Sequence, residues 1–284
     1  MFLARPPRPP LDRCVSVLWT CRQSITERRF ERVLPTATAQ LIVNLAEDET
    51  RSYDPADVSR CMRGPAMVIT GPSTTHGIID TDEQAHVAGV CFTPTGLLDV
   101  VPAPASLLAG QDVALDDLWP ARMAQRLREQ LLEAPSPQAQ LDLLEEALRA
   151  MFRDRPAHAA VRHATTALAA RPDVARIGEL AEASGLSQRH FIECFTREVG
   201  VTPKRFARVQ RFQQVVQRAH RGQRDRWCDI AADGGFADQS HLVHEFREFA
   251  GLTPTAWERL RTDHHNHVRF LQDDAEGGLQ GSAA

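Results

Sequence analysis

The chain has 284 residues, long enough for two domains with cores of their own, and its 43% hydrophobic and 25% charged residues are those of an ordinary globular protein. A net charge of −4 carries no global nucleic-acid signature, so any such role has to show in how charge is distributed. No run approaches a membrane span, the start MFLARPPRPPL lacks the apolar core of a signal peptide, and the six cysteines form no CxxC pair, so free thiols in a reducing cytoplasm are expected.

From Cys14 to Phe92 the pattern is strand-like. The phrases CVSVLWT, RRFERVLP, TAQLIVNL, AMVITG, HGIID and HVAGVCF are short, rich in Val and Ile, and separated by Pro, Gly, Asp or Ser. That pattern predicts a β-rich sandwich or barrel over residues 1–113. Trp19, Phe30, Phe92 and Trp119 are candidates to line a ligand pocket, although large aromatics at such positions usually fill the core. His76, His86 and Cys91 lack the spacing of an iron-binding oxygenase site, and neither a phosphate loop nor a GxSxG elbow is present. No enzyme activity, metal site or cofactor is expected, and effector-binding residues are left unassigned.

Helical signals take over after Pro94. Leu118–Ala134 and Ser136–Phe152 place Leu and Met three and four apart, with Pro137 at a first-turn position. Residues 114–160 are therefore expected to be a helical connector, and Leu118–Phe152 the expected surface of a homodimer.

Ile177 to Trp257 says nearly the same thing twice. LAEASGL at Leu180–Leu186 corresponds to IAADGGF at Ile230–Phe236, and after a one-residue slip His190 falls on His241, Phe195 on Phe246, Gly200 on Gly251 and Pro203 on Pro254. Two copies are too few for a solenoid, which leaves a tandem pair of small helical modules. Each carries helix-turn-helix punctuation: an apolar face (Ile177, Leu180, Ala181; Trp227, Ile230, Ala231), a Gly turn, an N-cap (Ser187; Asp238) and a second inward face (Phe191, Cys194, Phe195; Leu242, Phe246, Phe249).

At about 100° per residue, Arg189, Glu193 and Thr196, flanked by Ile192, lie opposite the inward face of the first copy. Ser240, His244 and Arg247, flanked by Val243, do so in the second, with Gln239 at the helix start. Arg reads guanine, Glu accepts from cytosine, and Ile or Val packs on a thymine methyl. Between the modules, Thr202-Pro203 opens a helix running to about Gly222, with Phe206, Val209, Phe212, Val216 and Ala219 on one side and Arg211, Arg218 and Arg221 opposite. Roughly eighteen residues at 1.5 Å give a rod of about 27 Å, the right order to hold two reading helices near one duplex turn.

On these residues, most specifically GGFADQSHLVHEFREFAGLTP (Gly234–Pro254) and less cleanly SGLSQRHFIECFTREVGVTPKRF, the segment Ile177–Trp257 resembles the paired helix-turn-helix domain of the AraC/XylS family of bacterial transcription regulators. The resemblance implies that Arg189, Ile192 and Glu193, and Gln239, Ser240, Val243 and His244, meet base edges. Where family members often carry a basic or amide pair, this chain has Ile192-Glu193.

The layout ahead of it, with phrases such as ITGPSTTHG and VCFTPTG, resembles the cupin-like sensor half of such proteins, where an effector binds and adjoining helices dimerise. The expected fold is thus α+β and multidomain: a β-rich sensor (1–113), a helical connector (114–160), an all-α domain of two modules joined by a long helix (161–263) and a disordered tail (264–284), whose His264, His265 and His267 are read as incidental. The expected function is a cytoplasmic, sequence-specific regulator that binds double-stranded DNA, answers to a small-molecule effector and recruits or blocks RNA polymerase, with no membrane partner. The alternative is a ligand-sensing module whose helical repeats dock a protein.

Overall fold

The computed structural model describes residues 1–23, 30–173, 176–222 and 226–270. The first half is built on strands β1 (Phe2–Arg5), β2 (Val15–Arg22), β3 (Phe30–Val33), β4 (Gln40–Asn44), β5 (Glu49–Asp54), β6 (Asp57–Pro65), β7 (Met67–Thr70), β8 (Gly77–Asp80), β9 (His86–Phe92) and β10 (Asp112–Ala114). Helices α1 (Ala105–Leu108), α2 (Leu115–Leu118), α3 (Ala121–Glu133) and α4 (Pro137–Met151) follow or interrupt them. The second half holds α5 (Ala159–Ala170), α6 (Ile177–Ala183), α7 (Gln188–Val199), α8 (Pro203–His220), α9 (Trp227–Asp233), α10 (Gln239–Ala250), α11 (Pro254–Leu260) and a last strand, β11 (His267–Arg269).

The strands form two sheets, ordered β1-β2-β9-β4-β7-β10 and β11-β3-β8-β5-β6, and the pairs are antiparallel. The six predicted strand phrases became β2, β3, β4, β7, β8 and β9. The β5–β6 ribbon escaped prediction because ETRSYD and DVSRCMRGP are polar, β6 being mostly exposed and β5 half-buried with Tyr53 its one buried side chain, so no continuous apolar face imposes alternation.

Along the first sheet alternate residues separate cleanly. Leu41, Val43, Ile69, Ala88 and Val90 share one core with Leu127, Leu131, Leu141, Leu144 and Leu148 of α3 and α4. The apolar stripe expected to serve a separate connector and a dimer is therefore spent on the sheet, and residues 115–151 pack as part of the β-rich domain. Thr20 donates to Gln140 Oε1 at 2.8 Å across the same contact. On the opposite face the Trp19 ring lies on the backbone of β9, where a Cβ at Gly89 would come within 2.4 Å of Trp19 Cζ2, so that position admits only glycine.

The helical half has its own core. Phe191, Phe195, Phe206, Phe212, Phe246, Phe249 and Trp257 are fully buried in it. Phe212 of α8 meets Phe246 edge-on at 5.1 Å and Phe249 at 5.3 Å, so the long helix and the second module share one aromatic centre.

Two loops of the β-rich domain grip this half. Leu34 and Ala37 are buried in its core, Pro35 O and Thr36 O accept from Gln213 Nε2 at 2.8 Å and Gln210 Nε2 at 3.1 Å, and Thr74 Oγ1 accepts from Arg205 Nε at 3.2 Å. The tail is a correction to the sequence reading. Residues 264–270 are ordered: β11 pairs with β3, Val268 is buried in the helical core, and Phe270 packs on Phe30 at 6.3 Å. A run of three residues is too short to show a strand period, and its partner lies at the other end of the chain. Residues 271–284 of the expected tail lie outside the described residues. The six cysteines are free thiols, Cys14 and Cys194 buried and Cys61 exposed.

Truncating Phe212 to Ala should cost about 3–5 kcal/mol of unfolding free energy, read from urea titrations, because the cavity lies where two elements meet. A second expectation concerns His76, whose imidazole is pushed down to about 4 by burial and by the Arg32 charge. A folded-state value below the ordinary 6.5 means that this contribution to stability is complete above that value and is lost as pH falls toward 4. The thermal midpoint should therefore drop less between pH 7 and pH 5 in His76→Asn than in the parent. Glu83, whose buried carboxyl is pushed up to about 7, acts with the opposite sign in both proteins and cancels in the difference.

Candidate nucleic-acid interface

Helices α7 and α10 start and stop by the same local chemistry. Ser187 Oγ accepts from the His190 amide at 3.3 Å and Asp238 Oδ1 from the His241 amide at 2.8 Å, each satisfying one of the donors that a helix start leaves free. At the other end Gly200 and Gly251 take φ of +89° and +66°, the left-handed cap that glycine adopts without strain. These caps are also where the β-rich domain touches. A Cβ at Gly200 would lie 2.8 Å from Pro72 and 3.1 Å from Ala105 O, and one at Gly251 would lie 2.6 Å from His76. One loop, Pro72–His76, thus reaches the ends of both helices.

The outward positions are mostly where helical periodicity puts them. Arg189 and Glu193 on α7, and Gln239, Ser240, His244 and Arg247 on α10, are exposed. Val243 is half-buried, and Ile192, also half-buried, packs against the helical core, which removes part of its surface from any thymine contact. Thr196 differs from expectation: its Oγ1 is buried and has no hydrogen-bond partner, so the hydroxyl is not offered to solvent. Periodicity within α7 could not anticipate this, because α1 packs against that helix from a distant part of the chain. Arg197, which the sequence reading passed over, is exposed one turn beyond Glu193 and pairs with Glu198 at 3.1 Å. Its i+4 spacing from Glu193 was the available signal.

The electrostatics of the two faces are unlike. On α7, Arg189 Nε donates to Glu193 Oε1 at 2.9 Å, which holds the Glu193 carboxyl below the usual range and raises the guanidinium. On α10 the acids turn inward. Glu245 accepts from Arg208 Nε and Arg211 Nη2, both at 2.8 Å, and Glu248 pairs with Arg205 and Arg208, whose hydrogen bonds keep its carboxyl low.

Two of the arginines expected opposite the apolar side of α8 have partners of their own. Arg211 also donates to Gly235 O at 3.1 Å and lies over the Phe236 ring, and Arg218 pairs with Asp233 at 2.9 Å. Both bind the second module. Arg221 is exposed.

Among the described residues no three His, Cys, Asp or Glu side chains are grouped to hold a metal ion, and no helix is long and apolar enough to cross a membrane.

Comparison with known proteins places residues 180–260 in a family described as a helix-turn-helix domain, and residues 4–114 in one described as a domain of unknown function (DUF6597). The chain is 33% identical over 66 residues to an uncharacterized HTH-type transcriptional regulator, YbfI, of Bacillus subtilis, a match covering 23% of each protein. It is 33% identical over 87 residues to the HTH-type transcriptional regulator Rv1931c of Mycobacterium tuberculosis, covering 30% of this chain and 32% of that one. The matched part thus spans less than a third of either relative's length. Crystal structures of ToxT from Vibrio cholerae superpose with a TM-score of 0.46 at 10% identity, over 91% of this chain and 97% of that one.

Proposed function

We propose that the chain, whose residues 180–260 match a helix-turn-helix domain, is a sequence-specific DNA-binding transcription regulator of the AraC type. The observation that carries the reading is the pair α7 and α10. Both are capped alike, both bury one face in a common core, and both leave polar side chains outward, while α8 spans the distance between them. With α10 bound to α8 through Glu245 and Glu248, the second reading helix has little freedom to turn relative to the rod, so two successive major-groove segments are met as one site.

A small effector is proposed to act through the β-rich domain. On the sheet face turned away from α3 and α4, Trp19, Ile42 and Cys91 are only half-buried, whereas their neighbours under the helices are dry. That inversion supports room for a ligand beside Trp19. Its effect has a route, since the Pro72–His76 loop touches both helix caps. A regulator so built recruits or blocks polymerase at its promoter from the cytoplasm. Any homodimer has to use a surface other than the buried stripe of α3 and α4.

Mobility-shift titration against randomised duplexes tests the reading. Arg189→Ala and His244→Ala should each relax base preference, in different halves of one site, by about 1–3 kcal/mol per lost contact. Unchanged preference in both variants sinks the groove assignment. Affinity that is indifferent to salt between low and moderate concentration would favour protein docking, because phosphate neutralisation releases counterions.

A further inference from the structure

The two reading faces carry different charge, and the difference is built in. On α10 the two acids, Glu245 and Glu248, are turned into the arginines of α8, which leaves Gln239, Ser240, His244 and Arg247 outward with no carboxylate among them. On α7 a carboxylate stands in the middle of the outward face. Glu193 is 57% exposed, accepts from Arg189, itself 90% exposed, and lies 4.0 Å from His190 Nδ1. The pair stands at the surface, where an i,i+4 ion pair adds little to a helix.

We propose that the two helices divide the work, α10 supplying most of the affinity and α7 most of the discrimination, with Glu193 as the residue that rejects wrong sequences. The inference rests on the DNA-reading function proposed above and names what its first helix selects. A carboxylate carried into a major groove loses water and faces phosphate charge. It recovers that loss only where a base offers a donor, and the cytosine N4 amino group is the one that Glu matches. Its partner Arg189 is then released toward the O6 and N7 acceptors of a guanine. The preferred α7 segment therefore contains C and G close together. Where no cytosine amino group faces it, the carboxylate keeps Arg189 as its partner, so that Glu193 both repels the duplex and withholds Arg189 from a phosphate. The α10 face has no such penalty and tolerates substitutions with smaller losses.

Site selection from a random duplex pool with the full-length protein and with Glu193→Gln, followed by titration on selected and unrelated duplexes at several salt concentrations, tests this. The parent should select two blocks about a helical turn apart, one of them holding a C and a G. Glu193→Gln should lose the C preference in that block, keep the other block unchanged, and bind unrelated duplex several-fold more tightly. Its log–log salt slope should steepen by about one as Arg189 becomes free for phosphate. Thermal melting of both proteins checks that this exposed substitution leaves the fold intact. If the parent selects two blocks but Glu193→Gln keeps the same C preference, or loses affinity for every sequence, the division of labour is wrong and the DNA reading stands. If the parent selects no duplex at all, both fall together.

Discussion

Glu245 enters the interior of the second module with 2% of its side chain exposed, and a carboxylate so placed is tolerated only if cations go in with it. Arg208 and Arg211 supply them from α8. His241 accepts the Ala237 amide at Nδ1, which leaves its Nε2 hydrogen toward Glu245 at 3.7 Å. Such a cluster adds little net stability, since desolvation offsets most of the attraction, but breaking it by removing one partner is expensive. Its effect is directional. The aromatic centre of Phe212, Phe246 and Phe249 would accept α10 over a range of angles, whereas two arginines meeting one buried carboxylate accept few.

The first module is held differently, although its sequence runs parallel. The position corresponding to Glu245 is Cys194, which sits 3.6 Å from His190 Nε2 and has no arginine partner. Its bracing comes from outside the repeat: the His158 amide donates to Glu198 Oε2 at 2.8 Å, and α1 and α5 pack on α7. One reading helix is therefore fixed by the rod, and the other by elements that belong to or adjoin the β-rich domain. That asymmetry gives the β-rich domain a mechanical hold on α7 more than on α10.

Much of this was legible in the chain because it is local. Caps at Ser187, Thr202 and Asp238, the buried phenylalanines and the bounds of α3, α4 and α8 follow from periodicity and capping within a dozen residues. What stayed hidden is what depends on distant partners. Arg211 and Arg218 look free on a helical wheel, and only the position of the second module reveals that they are taken. Thr196 faces outward on its own helix, yet its hydroxyl is buried. The β5–β6 ribbon shows no apolar alternation because only Tyr53 and Val58 of it reach the small core around Phe30, Ile78 and Phe270. Of the candidate site residues, Arg189, Glu193, Gln239, Ser240, His244 and Arg247 are exposed as helical periodicity expects, whereas Ile192 packs on the helical core and the Thr196 hydroxyl is buried.

The strand β11 has a further consequence for how the molecule is made. It fills the edge of a sheet whose neighbouring strand, β3, was synthesised long before; His267 and its partner Glu31 stand 236 positions apart in the chain. While the ribosome works through the intervening residues, that edge has backbone donors and acceptors with nothing to pair with, the state in which unfinished β-proteins associate wrongly. Completion of the β-rich domain thus waits on a strand made after the helical half, so a nascent chain released before β11 is denied both a finished sheet edge and a seated Val268.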